Sequence, residues 1–178
     1  MFVEIIKKKL KGDILVPGKK GRDAAVCVLF NSHYEILLIK RPDNPEDPWS
    51  GQVSFPGGHF EPEDVYLNIT ALRELREETG ITDAEIIGLM DVEHPRNFPG
   101  MDVYPFVCFR EEFGELRKQK GEVSYFLMPR ISDLKRLNKN IKVGNNYSIE
   151  ECFVYGNDII WGMTYRIISH LMDLFQDH

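Results

Sequence analysis

Gly57-Gly58-His59-Phe60-Glu61-Pro62-Glu63-Asp64, followed after eight residues by Arg73-Glu74-Leu75-Arg76-Glu77-Glu78-Thr79-Gly80-Ile81, is the stretch whose reading decides the fold. A glycine pair ends an apolar strand, an acidic loop follows, and a helix then carries three glutamates. At positions i, i+3 and i+4, Glu74, Glu77 and Glu78 project from one helical face. Like charges in one patch repel, so a chain selected for stability alone would separate them. Hard divalent cations such as Mg²⁺ and Mn²⁺ take several carboxylate oxygens, keep some waters and share substrate phosphates. The pattern points to metal-assisted phosphate chemistry. A solvated acidic face is the plainer alternative, and the adjoining glycine pair argues against it.

Outward from this stretch, Val53-Ser54-Phe55 reads as a short strand ending at Pro56-Gly57-Gly58. Residues 66–79 read as a helix, with Leu67, Ala71, Leu72 and Leu75 on the side opposite the glutamates. Gly80 is its stop. Upstream, the apolar run 24–30 (AAVCVLF) is a strand buried on both faces. Asn31-Ser32-His33 is a turn, and 35–40 (EILLIK) the returning strand of a hairpin. The proline- and acid-rich segment 41–50 (RPDNPEDPWS) is irregular. Downstream, strands are expected over 85–92 and 103–111, with a loop at 94–100 between them. A strand over 123–128, a helix over 129–137, a polar turn-rich segment 138–146 and a strand over 151–155 follow. An amphipathic helix over 158–175 closes the chain, using Ile160, Met163, Ile167, Leu171 and Leu174, with Trp161 in its core-facing part. At the other end, residues 2–11 form a short amphipathic helix, with Phe2, Ile5, Ile6 and Leu10 on one side, broken by Gly12 and the Pro17-Gly18 turn. Strands alternating with two main helices indicate an α/β or α+β sandwich. No repeat or composition shift divides it, so residues 1–178 are expected to form one domain, with 1–21 as an N-terminal helix and linker.

The composition agrees. The 178 residues are 43% apolar, enough for a substantial core. The net charge of −6 leaves no basic footprint for nucleic acid. A polyphosphate must then be neutralised locally, by bound metal and a few placed Lys or Arg. Cys27, Cys108 and Cys152 lie without metal-ligand or redox spacing, and Cys27 and Cys108 read as small buried apolar residues. His33, His59, His94, His170 and His178 show no zinc spacing. The N-terminal stretch lacks the pattern of a signal peptide, and no apolar run reaches membrane-spanning length. A cytoplasmic location without membrane partners is the expectation.

With these residues laid out, the chain resembles the Nudix hydrolases, whose pattern is a glycine, five residues, an acid, then REUxEExGU, U being bulky and aliphatic. Residues 73–81 fit the second half at every specified position, a match expected by chance roughly once in a million windows. Two departures stand out: Asp64 replaces the box glutamate, and the connection to Arg73 is one residue longer. Outside this box (residues 57–81), Leu38-Ile39-Lys40-Arg41 and residues 47–58 (DPWSGQVSFPGG) are similar to the segment preceding it in the coenzyme A diphosphatase branch. Ile160-Trp161-Gly162-Met163-Thr164 is similar to the start of that branch's last helix.

The resemblance implies a Nudix-type α/β/α sandwich with a mixed central sheet and two main helices. It implies Mg²⁺- or Mn²⁺-dependent hydrolysis of a nucleoside diphosphate linked to another moiety, a small-molecule partner. Coenzyme A or its thioesters, split into 4′-phosphopantetheine and adenosine 3′,5′-bisphosphate, lead; ADP-ribose, dinucleoside polyphosphates or modified nucleotides are the alternative. A non-catalytic module binding a nucleotide metabolite is a third reading, opposed by the retention of Glu74, Glu77 and Glu78. Within this frame Glu74 and Glu78 are the leading metal ligands, joined by Glu77 for further ions and by the Gly57 carbonyl, which an absent side chain leaves open to close approach. Arg73 orients carboxylates, holding Glu77 or the Asp64 region. Glu74 and Glu122 both stand as candidate bases for the attacking water. Arg41 and Arg96 are candidates for substrate phosphates. Trp49 either packs its proline-rich loop or stacks on a base. The N-terminal helix either covers the sheet or joins two copies in a homodimer.

Overall fold

The structure is a computed structural model describing residues 2–176. Its centre is a four-stranded mixed sheet in the order β4-β1-β6-β5, formed by Gly57–His59, Asp23–Phe30, Asp102–Phe109 and Glu85–Leu89. β1 runs parallel to β6, while β4 and β5 are antiparallel to their neighbours. All eight residues of β1 are buried, as its unbroken apolar run requires of a strand covered on both faces. One face, through Ala25, Cys27 and Leu29, packs on Leu67, Ala71 and Leu75 of α2 (Leu67–Thr79). The other, through Ala24, Val26, Val28 and Phe30, packs on Ile167, Ile168 and Leu171 of α3 (Gly162–Gln176). The result is the expected α/β/α sandwich with a mixed central sheet. The short α1 (Phe2–Lys9) covers this second core, with Ile6 fully buried in it.

Two smaller sheets flank the centre. β2 (Leu38–Lys40) lies between β3 (Val53–Ser54) and β7 (Tyr125–Leu127). β9 (Asn146–Tyr155) lies between β8 (Leu137–Val143) and β10 (Asp158–Trp161). Several sequence expectations are corrected here. The hairpin after β1 survives only beside its turn, where Phe30 bridges Ile36 and Leu37 N–H donates to Leu29 O; β2 then joins the β3–β7 sheet. The helix expected over 129–137 is a 3-10 turn at Ile131–Asp133, and Leu137 already begins β8. The segment 138–146, expected to be polar and turn-rich, is mostly strand with a turn at its end. Seven register pairs, from Leu137 with Cys152 to Val143 with Asn146, join β8 to β9. The expected closing helix begins four residues late: residues 158–161 are β10, and Gly162 at φ +64° turns the chain into α3. Trp161 accordingly sits on a strand, half-buried, and not on the helix. Among the described residues no helix is long and apolar enough to cross a membrane.

Candidate active site

The glycine pair does not merely end a strand; it is one. β4 lies at the sheet edge with Val26 opposite Gly57 and Ala25 opposite Gly58, and α2 packs beside it. The two glycines are required for different reasons. A Cβ on Gly57 would stand 2.5 Å from the Ala25 carbonyl oxygen and 2.6 Å from the Val26 side chain. A Cβ on Gly58 would overlap the carboxylate of Glu74. The bare Gly58 thus lets Glu74 of α2 close against β4, and the bare Gly57 lets β4 lie this close to β1.

Glu78 is 3% exposed, and its Oε2 accepts the Gly57 N–H at 3.0 Å. Burial pushes its carboxyl up to about 8; the Gly57 N–H opposes this, the charge of Glu74 adds to it, Arg41 eases it and Glu122 adds again. Arg41 and Glu122, remote in sequence, therefore lie within electrostatic reach of Glu78. Both also line one polar cavity of about 350 Å³, with Asn44, Asp47 and Gly121. Burial likewise raises Glu74, against the nearby Arg73 guanidinium and with the charges of Glu77 and Glu61. Glu77 and Glu78 occupy the last turn of α2, whose carbonyl end disfavours anions. Gly80 closes that helix at φ +81°, its N–H on Arg76 O at 2.9 Å.

Arg73 is the hub of the acidic loop. Its Nε and Nη2 each lie 3.0 Å from the two oxygens of Asp64, a bidentate fork. Nη1 donates to Glu74 Oε1 at 2.7 Å and reaches Glu77 Oε2 at 3.4 Å, while Nη2 also donates to His59 O at 3.1 Å. Asp64 further accepts the Thr70 hydroxyl at 2.8 Å and the Glu61 N–H at 3.2 Å. Burial would lift the Asp64 pKa, but the bonds from Arg73, Thr70 and Glu61 outweigh it and hold it below the ordinary value. Of the two partners expected for Arg73, Asp64 takes the fork and Glu77 the weaker contact.

Other expectations fall elsewhere. Arg96 is 72% exposed side-chain surface and pairs with Glu150 of β9 at 2.9 Å. Among the described residues no hydrogen bond or ion pair joins it to Glu74, Glu77, Glu78 or Glu122. The Trp49 ring packs on Phe98 with centroids 4.9 Å apart, which ties the 41–52 loop to the 94–100 loop. His33, His94 and His170 pair with Glu112, Asp102 and Glu93, and the three cysteines are buried and free. Sequence reasoning missed Asp47, whose Oδ2 accepts Arg41 Nε at 2.8 Å. A pairing across an irregular proline-rich loop carries no periodic signal, so nothing in the pattern could have found it.

The family model described as NUDIX domain matches residues 20–148, which include the whole glycine–arginine–glutamate assembly. The chain belongs to the Nudix family. The uncharacterized Nudix hydrolase NudL of Yersinia pestis (strain Pestoides F) is 32% identical over 159 residues, covering 85% of this chain and 78% of that protein. A MutT/nudix family protein from Enterococcus faecalis shares the fold at a TM-score of 0.57 and 19% identity, over 89% of this chain and 65% of its own. An Ap4A hydrolase from C. elegans does so at 0.51 and 20%, over 62% and 81%. This Nudix chain is a hydrolase of nucleotide-type diphosphate linkages.

Nudix enzymes use divalent cations, and the donor set here fits one. It consists of oxygens only, the Glu74, Glu77 and Glu78 carboxylates with the Gly57 carbonyl, the choice of a hard cation. Its most buried member, Glu78, favours the neutral form in the protein's own field, so a nearby cation would supply the charge that ionises it. Among the described residues no three or more His, Cys, Asp or Glu side chains are gathered into a group that could hold a metal ion by themselves. Mg²⁺ is commonly held by one or two carboxylates, with waters and substrate phosphates completing its shell.

Proposed function

We propose that this Nudix hydrolase cleaves the phosphoric anhydride bond of a nucleoside diphosphate joined to a second moiety. Water adds to one phosphorus, the bridging P–O bond breaks, and two phosphate-bearing products leave with one proton released. The observation that supports this most is the closure of Glu78 and Glu74 against the bare backbone of β4. Glu74 and Glu78 would hold Mg²⁺ or Mn²⁺, with Glu77 and the Gly57 carbonyl as further donors. The cation, when bound, would mask phosphate charge and lower the pKa of water.

The chain's own residues do the rest. Arg73 fixes the direction of Glu74 while leaning on Asp64. Glu74 or Glu122 accepts the proton of the attacking water. Arg41, in the cavity shared with Glu122, binds a substrate phosphate; Arg96, already committed to Glu150, is the weaker candidate. The three buried free cysteines suit a reducing, cytoplasmic setting.

Two substrate readings remain. The broader one, covering ADP-ribose, dinucleoside polyphosphates and modified nucleotides, has family membership behind it and a fold shared with an Ap4A hydrolase. The narrower one, coenzyme A or its thioesters, rests on the resemblance of residues 38–41, 47–58 and 160–164 alone. A panel of coenzyme A, ADP-ribose, diadenosine tetraphosphate, NADH and nucleoside triphosphates, compared by kcat/KM with Mg²⁺ and Mn²⁺, separates them. Turnover of ADP-ribose or diadenosine tetraphosphate with none of coenzyme A removes the narrower reading. No turnover of any member contradicts the proposal.

A further inference from the structure

The β2–β3 connection is longer than a hairpin turn, yet it is closed and internally bonded. Arg41 N–H donates to Gln52 O at 2.9 Å at its base, and Gly51 N–H to Pro42 O at 3.2 Å above it. Inside this ring sits Asp47, with only 12% of its side chain exposed. Both of its oxygens are engaged: Oδ2 by Arg41 Nε at 2.8 Å, Oδ1 by the Trp49 N–H at 2.9 Å. Its own backbone is pinned too, N–H to Asn44 O and O to Ser50 N–H, each at 3.0 Å. The same ring presents the Trp49 indole to Phe98, which is 37% exposed on the 94–100 loop. That second loop is anchored in turn by Phe98 N–H on Pro95 O, Met101 N–H on Phe98 O, and Arg96 on Glu150. An unbroken line of contacts thus runs from the outer loop, through Phe98, Trp49 and Asp47, to the guanidinium of Arg41.

We propose that Asp47 is a positioning residue that aims Arg41 into the cavity shared with Glu122, and that the Trp49–Phe98 stack makes the 41–52 and 94–100 loops one recognition unit. An arginine on an irregular loop has many rotamers, and fixing one for a phosphate costs entropy at binding. A carboxylate that takes Nε leaves both terminal nitrogens for a phosphate, the bidentate geometry arginine suits. Asp47 also has a half-buried position and a second bond to the Trp49 N–H, so aiming the side chain and shaping the loop are one act. Phe98 has no polar group to offer a phosphate, and its link to Arg41 runs through the Trp49 contact. This inference rests on the reading of Arg41 as a phosphate-binding residue.

A double-mutant cycle tests it, with initial rates on coenzyme A and on diadenosine tetraphosphate and with thermal midpoints measured for each variant. Arg41→Ala should raise KM at least tenfold. Asp47→Ala should raise KM about tenfold while kcat moves less than threefold; Asp47→Asn, which keeps an acceptor for the Trp49 N–H, should fall between it and the parent. In the Arg41→Ala background, Asp47→Ala should add less than twofold. Phe98→Ala should raise KM about threefold with an unchanged thermal midpoint. Independent, multiplying effects of the Arg41 and Asp47 variants, or a parental KM in Asp47→Ala, overturn the inference while leaving the Arg41 reading intact. A parental KM in Arg41→Ala overturns both, because Asp47 would then have nothing to aim.

Discussion

Arg73 and Asp64 hold the acidic loop to the helix, and the departure from the family pattern lies in this pair. Asp is one methylene shorter than Glu, and the extra residue before Arg73 must be absorbed somewhere. In the structure Asp64 is buried at the end of a 3-10 turn (Pro62–Asp64) and meets the guanidinium with both oxygens, so the shorter acid still completes the fork. The Asp64 substitution was visible in the sequence, but its partner was not: Arg73 faces several acids, and only geometry separates the fork to Asp64 from the long contact to Glu77. Asp64→Asn should lower unfolding free energy by about 2 kcal/mol, since Arg73 keeps its charge and loses its best partner. Urea titration checks this. An unchanged midpoint would show the fork to be dispensable. Arg73→Lys should lower kcat/KM as well, because an ammonium cannot serve Asp64 and Glu74 together in this geometry.

Among the elements, β4 and α2 form the working unit, and their two glycines give separable predictions. Gly57→Ala places a methyl against backbone and the Val26 side chain, which cannot easily withdraw, and should cost about 1–3 kcal/mol of stability. Gly58→Ala places it against the end of the Glu74 side chain, which can move. Stability should then stay near the parent's while kcat/KM falls about tenfold or more, as the carboxylate leaves its position. Thermal midpoints and rates measured together distinguish the pair; equal losses of stability would contradict it. The α2 helix was legible because its apolar stripe, its glycine stop and its acids share one period. β8 was not, because Ile141 is its only buried residue and the alternation that marks a strand is missing. Its evidence lies in the turn, where Gly144 at φ +61° and Asn145 join paired strands. β10 was hidden differently: Ile159, Ile160 and Trp161 extend the apolar spacing of α3 backwards, and a short apolar run does not separate strand from helix.

At the scale of the whole molecule, two cores share one sheet, and the buried Glu78 links the site to folding stability. Its carboxyl, near 4.5 in an unfolded chain, is lifted by burial to about 8. A group raised in the folded state contributes stability that is fully present below its unfolded value and is lost as pH climbs through the folded one. Without added cation, the protein should therefore lose a few kcal/mol between about pH 4.5 and 8. Glu78→Gln should flatten that loss, and Mn²⁺ should oppose it at the alkaline end by favouring the ionised acid. Calorimetry across this range in EDTA checks it. We also propose that the chain unfolds as one unit, so each scan should show a single transition. The central claim is that the acidic face of α2 drives anhydride hydrolysis, and kcat/KM of Glu78→Gln at saturating Mg²⁺, on the best substrate of the panel, tests it most directly. A fall of roughly a thousandfold with the fold retained is the predicted result; a rate equal to the parent's would contradict the account.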